Sequence, residues 1–208
     1  MAKHNDDADQ LRQWVRAHRI VTLTPVPHMP SLVEEIVGSR VRGSWWSHPR
    51  GSEIFRSWRM LVDDPEVLAL KLVNGKVSFV HADVWPLLLR IVEDLDWKQR
   101  AVRTLDRASL TLLDQVEHAG TLRLDRLAES WSSGTAALKK SRTALEKRGL
   151  VVSRDVHTEA GTHAQVLESW RHFREATGAR PDINTSLGQA VHELKRIASG
   201  NRLTLEVA

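Results

Sequence analysis

The fold turns on one stretch: Gly134-Thr135-Ala136-Ala137-Leu138-Lys139-Lys140-Ser141-Arg142-Thr143-Ala144-Leu145-Glu146-Lys147-Arg148-Gly149, followed by Leu150–His157, Thr158-Glu159-Ala160-Gly161-Thr162 and His163–Ser169. On a helical wheel Leu138 and Leu145 share a side, flanked by Ala137, Ser141 and Ala144. Ala136, Lys140, Thr143 and Lys147 lie opposite, with Lys139 and Glu146 between. Arg142 turns towards the docked side. The spacing predicts a helix over Thr135–Arg148, entered through the turn Trp131–Gly134 and closed by Gly149. The two β-prone runs predict a hairpin after it.

Upstream, Ser109–Ala119 reads as a helix ending at Gly120. Leu122–Ser130 reads as a second short element with Leu122, Leu124 and Leu127 inward. Helix, short element, helix and hairpin over 107–170 is a winged helix-turn-helix pattern. Its third helix offers small residues that admit it to a major groove and lysines that anchor it to phosphates. The expected DNA contacts are Thr135, Ala136, Lys139, Lys140, Thr143 and Lys147 on the helix, with Arg154, His157, Thr158 and His163 on the wing. A solvated basic helix in a packing domain is the competing reading of the same residues.

Charge supports the first reading. The chain carries 30 Lys and Arg against 26 Asp and Glu, a net +4. Residues 39–62 hold Arg40, Arg42, Arg50, Arg56 and Arg59 against Glu53. Residues 132–154 hold Lys139, Lys140, Arg142, Lys147, Arg148 and Arg154 against Glu146. These windows take 11 basic and two acidic residues, leaving 19 basic and 24 acidic elsewhere. Two cationic patches on an acidic body are the footprint of polyanion binding.

The first half repeats the pattern loosely, with a period of about 80–90 residues. Asp9–Arg19 reads as an amphipathic helix, and Pro25, Pro27 and Pro30 make Ile20–Pro30 an extended linker. Ser31 and Glu34 form a capping box for Leu32–Val37, which stops at Gly38. An aromatic loop, Val41–His48, leads to a helix from Pro49 to about Leu61. Ile54, Phe55, Trp58 and Leu61 form its apolar stripe, opposite Ser52, Arg56 and Arg59. Asn74-Gly75 between Val67–Val73 and Lys76–His81 signals a tight hairpin. A helix from Asp83 to about Leu95 and a charged connection over Asp94–Arg107 complete this half.

Arg50, Arg56 and Arg59 are further expected DNA contacts. Trp58 is expected in the core, and of Trp45 and Trp46 one is expected buried and the other free to stack. Beyond Trp170, Pro181–Ser199 predicts a helix and Arg202–Val207 a closing strand. The expected architecture is α+β, mostly helical, with tandem winged helix-turn-helix modules. Its parts are an N-terminal helix and Pro-rich linker (1–30), a winged-helix-like module (31–95), a DNA-binding module (107–170), and a C-terminal helix and strand (181–208).

Other classes are disfavoured. No apolar run approaches the roughly 20 residues of a membrane span. Met1–Gln10, with Asp6, Asp7 and Asp9, does not read as a signal peptide. There is no cysteine, and the ten histidines lack metal-ligand spacing. No Gly-rich phosphate loop or Gly-x-Ser-x-Gly motif occurs. The expected partner is double-stranded DNA, with no metal, no small-molecule cofactor and no membrane, in the cytoplasm on the nucleoid.

Pro30-Ser31-Leu32-Val33-Glu34-Glu35-Ile36-Val37-Gly38, Gly43-Ser44-Trp45-Trp46-Ser47-His48-Pro49, Leu72–Val77 and Val84-Trp85-Pro86 resemble AlkZ-related bacterial proteins. Leu145–Val152, His157-Thr158-Glu159 and Gly161-Thr162-His163 resemble the winged-helix end of that group. The resemblance implies tandem winged helices and a place in DNA repair. In the namesake DNA glycosylases, which excise alkylated bases, a Gln-aliphatic-Gln or Gln-aliphatic-Asp pair positions the hydrolytic water. This chain has no such pair. Gln115-Val116-Glu117 is the nearest segment, and residues two apart on a helix point about 200° away from each other. The leading expectation is therefore a DNA-binding protein of repair or genome maintenance with no assigned catalytic residue. The alternatives are a DNA glycosylase using Glu53, Asp64 or Glu117, and a transcriptional regulator that forms a homodimer through its terminal helices.

Overall fold

The structure is a computed structural model describing residues 2–41, 43–157 and 163–206, with side chains for 7–41, 43–156 and 164–206. It is α+β, about 53% helical, with two antiparallel three-stranded sheets. The chain divides into two units, 1–86 with 188–203 and 87–187 with 204–208.

The first unit runs α1 (Ala2–His18), β1 (Ile20–Thr22), α2 (Leu32–Val37), a 3-10 turn (Trp45–Ser47), α3 (Gly51–Val62), β2 (Val67–Val73) and β3 (Lys76–His81). Its sheet has the order β1-β3-β2, with Ile20 opposite Val80 and Leu68 opposite Val80 on the other side. Val15, Val21, Leu32, Val33, Ile54, Leu61 and Phe79 form the core. Ser31 accepts from the Glu34 amide at 3.3 Å, the N-cap half of the expected capping box, and its hydroxyl donates to the Glu34 carboxylate at 2.9 Å. Asn74 and Gly75 turn the hairpin at φ 50° and 69°.

Two expectations are corrected here. Ile20–Thr22 is not linker but a fully buried strand, and α1 packs on α3 inside the same core. The prolines start beyond Thr22, so they leave its amides free to pair, and the buried apolar run decides the strand. Trp58 is half-buried at the edge of the core rather than within it.

The second unit contains α5 (Leu95–Val102), which follows α4 (Trp85–Val92). It then runs α6 (Arg107–Ala119), β4 (Thr121–Arg123), α7 (Leu124–Ala128), α8 (Gly134–Glu146), β5 (Val152–His157), β6 (His163–Glu168) and α9 (Trp170–Thr177). The sheet order is β4-β6-β5. Helix α5 lies where a charged connection was expected. Asp94 caps it by accepting the Trp97 amide at 3.1 Å, while Trp97 and Ala101, four apart, are buried. The Trp97 indole donates to the Leu205 carbonyl at 2.8 Å. Four charged residues over 94–100 masked that two-residue anchor. Helix α9, which Ser169 caps through the His172 amide, was not anticipated either.

The last helix, α10 (Leu187–Ile197), buries Ala190 and Leu194. Glu193 on it meets Arg19 at 3.1 Å within the first unit. Among the described residues, the expected strand over 202–207 reduces to a single bridge, Val73 to Leu203. Both units thus repeat helix, strand, helix, helix and hairpin, and in both the short first strand pairs with the last.

Candidate nucleic-acid interface

Helix α8 packs on α6 and α7 through Leu138, Ser141 and Leu145, at 4%, 1% and 0% exposure. Gly134 takes φ +79° after donating its amide to the Trp131 carbonyl at 2.9 Å, a turn conformation that favours glycine. Anchoring Leu138 and Leu145 fixes the rest of the helix by its 3.6-residue period. Thr135, Ala136, Lys139, Lys140 and Lys147 are exposed, and Thr143 is half-exposed. Arg142 lies inward, 3.7 Å from the buried Glu146 carboxylate.

An open concavity of about 470 Å³ follows this outward face, lined by Ala136, Lys139, Lys140, Thr143, Ala144, Lys147 and Arg148. Small side chains make its floor and four cations its rim. Thr143 donates to the Lys139 carbonyl at 2.8 Å, which leaves its oxygen as an acceptor. Arg148 donates to the Ala144 carbonyl at 3.2 Å and to Thr104 Oγ1 at 2.7 Å. Lys139 and Lys147 have no ion-pair partner among the described residues.

Lys140 is shared. Its ammonium lies 3.3 Å from Asp106, the cap of α6. The Ser109 hydroxyl and amide, followed by Lys140, hold the Asp106 carboxyl down to about 2. The amide bond is a full 2.9 Å hydrogen bond, whereas the hydroxyl faces the carboxylate outside hydrogen-bonding geometry, so the amide is the firmer anchor. With Lys140 79% exposed, this surface pair exchanges readily for a phosphate.

On the wing, Arg154 is less available than its sequence suggests. Arg154 is half-exposed but lies 3.6 Å from Glu168, which is buried and 2.6 Å from His172 Nδ1. His157 and His163 are paired in the β5–β6 ladder. Thr158 and the rest of the wing tip, 158–162, lie outside the described residues.

In the first unit the expected arginines diverge. Arg50 donates to Glu53 and to the Ile36 carbonyl. Arg59 pairs with Asp63 at 3.1 Å. Arg56 is exposed, with no ion-pair partner among the described residues. Trp45 is 8% exposed and Trp46 60%, the buried-and-free split expected of the pair.

The candidate carboxylates are all engaged. Glu53 meets Arg50, Asp64 accepts from Arg12 Nε at 2.7 Å, and Glu117 from Lys98 at 2.8 Å. No group of three His, Asp or Glu among the described residues is arranged to hold a metal. No helix among them is long and apolar enough to cross a membrane.

Sequence reasoning left Arg148 out of the contact set although it follows Lys147. The wheel sets Ala144 on the docked flank, and Arg148 four residues on falls with it, so only the structure, where both line the concavity, brings it in. Comparison with protein-family models, curated proteins and solved structures gives no match.

Proposed function

We propose that the chain, built of two winged-helix modules, binds duplex DNA with α8 of the second module entering the major groove. The observation that carries this reading is the outward face of α8, where four cations rim a floor of small side chains. A helix with that profile can approach base edges, while its lysines and arginine meet phosphates on either side. The repeated helix–strand–helix–helix–hairpin order, with sheets β1-β3-β2 and β4-β6-β5, supports the winged-helix assignment. A role in repair or genome maintenance, on the nucleoid, rests on the resemblance carried by 30–38, 43–49, 72–77 and 84–86. Base excision needs a carboxylate in reach of an attacking water. The ion pairs of Glu53, Asp64 and Glu117 lend that reading no support.

Anisotropy titrations of labelled duplex against Lys139→Ala, Lys147→Ala and Arg142→Ala test the proposal. Each lysine variant weakens binding uniformly across duplex sequences and lowers the salt slope by about one. Arg142→Ala changes stability rather than the slope. Loss of binding in a folded Arg142→Ala protein, with both lysine variants unaffected, overturns the proposal.

A further inference from the structure

We infer that Trp46 is a stacking platform for an unpaired nucleobase, carried by the first unit and independent of the duplex reading. Trp46 lies against Trp45 with ring centroids 3.9 Å apart and planes 24° from parallel. Phe55 and Trp58 approach it at 5.6 and 6.5 Å, the latter edge-on. With one face taken by Trp45, an exposure of 60% leaves the second face open to solvent.

The ring is also held in place before any ligand arrives. His48 donates its amide to the Trp45 carbonyl at 3.1 Å, and Gly51 donates to the His48 carbonyl at 2.8 Å. A Cβ at Gly51 would lie 3.1 Å from both the Trp45 and Trp46 carbonyl oxygens. Glycine therefore lets the start of α3 seat directly on the loop that presents Trp46.

Charge selects the occupant. Arg56, next to Phe55 on α3, and Arg40, in the segment leading to the loop, are exposed without ion-pair partners among the described residues. The acids of this region, Glu53 and Asp63, are each engaged by an arginine, Arg50 and Arg59. Over 39–63, the segment that carries the platform, five arginines stand against these two acids, so its net charge is positive. A bare aromatic face on a cationic segment suits a base and its flanking phosphates, because every base offers a π-face and each nucleotide a negative charge. An aliphatic protein surface would meet the same ring but leave the arginines unanswered.

The test compares an oligothymidine of about 12 nucleotides, within the usual range of site sizes, with a blunt hairpin duplex. Full-length wild type, Trp46→Ala, Trp46→Phe and the Lys139→Ala/Lys147→Ala double variant are titrated against both. Trp46→Ala weakens oligothymidine binding about five- to hundredfold, the range of one lost base stack. Trp46→Phe retains most of the affinity, and both variants stay folded and keep wild-type duplex affinity. The double-lysine variant loses duplex affinity, so failure of the duplex reading shows separately. Equal oligothymidine affinity in wild type and Trp46→Ala, or no wild-type binding of it, overturns the inference. So does a Trp46-dependent self-association in sedimentation without any nucleic-acid effect, which would make a second copy the occupant.

Discussion

Helices α3 and α8 occupy the same place in their units, and their differences are chemical rather than architectural. Ile54 and Leu61 anchor α3 at a seven-residue spacing, as Leu138 and Leu145 anchor α8, all at 4% exposure or less. Superposing these anchors places Phe55 at Lys139, Arg56 at Lys140, Trp58 at Arg142, Arg59 at Thr143 and Asp63 at Lys147. Asp63 and Lys147 are the C-terminal caps of their helices. On α3 Phe55 and Trp58 support an aromatic loop and Arg59 pairs with Asp63, while Arg56 stays open. On α8 Lys139 and Lys147 stay cationic and open, and Lys140 shares an exposed ion pair with Asp106. A shared scaffold fixes where a helix presents its face, and a handful of outward residues decides what that face can meet.

Charge reversal gives the largest contrast. Lys139→Glu/Lys147→Glu removes two phosphate contacts and adds repulsion, so duplex affinity falls on the order of a hundredfold. Arg56→Glu on α3 leaves duplex affinity within about threefold by the same reasoning. Anisotropy on one labelled duplex checks both. Equal losses from the two helices would erase the distinction drawn between them.

The shared anchoring predicts a smaller and symmetric effect on stability. Ile54→Ala and Leu145→Ala each remove a fully buried aliphatic side chain and cost about 2–5 kcal/mol. Urea unfolding followed by circular dichroism measures this. A cost under about 1 kcal/mol for either would mean that its helix is not held as described.

Asp106 supplies the finest distinction, because α3 has no counterpart to its hold on Lys140. Its carboxyl sits at about 2 in the folded chain against an ordinary 3.8. Its contribution to stability is therefore complete above pH 3.8 and lost as the pH falls towards 2. Asp106→Asn keeps a cap for α6 but removes the charge, so acid unfolding between those values becomes shallower. The same variant releases Lys140 and raises duplex affinity, by less than about threefold for one weak surface pair. An unchanged acid limb in the variant would remove Asp106 from this role.

Much of α8 was legible because two leucines seven apart set a helical phase and every neighbour follows from it. The exposure of Lys139, Lys140 and Lys147 and the inward turn of Arg142 all depend on that phase. The Asn74-Gly75 hairpin and the Ser31 cap were legible because their residue types serve local geometry. Elements held by tertiary burial were not. Strand β1 is three residues long and gains its amide partners from β3, about 60 positions away. Helix α5 shows two buried residues among charges, and α9 depends on Trp170, whose indole donates to the Gly149 carbonyl at 2.7 Å. Ion-pair partners were equally hidden. Nothing local to Arg154 foretells Glu168, and nothing local to Lys140 foretells Asp106.

The most direct test of the central claim is the salt dependence of duplex binding. Lys139, Lys140, Lys147 and Arg148 offer four phosphate contacts, at about −0.9 each in the slope of log K against log salt. Wild type should therefore show a slope of about −3.6 or steeper, Lys139→Gln/Lys147→Gln a slope shallower by about two, and Arg56→Gln no change. A flat wild-type slope, or one that the double variant leaves unaltered, contradicts the account.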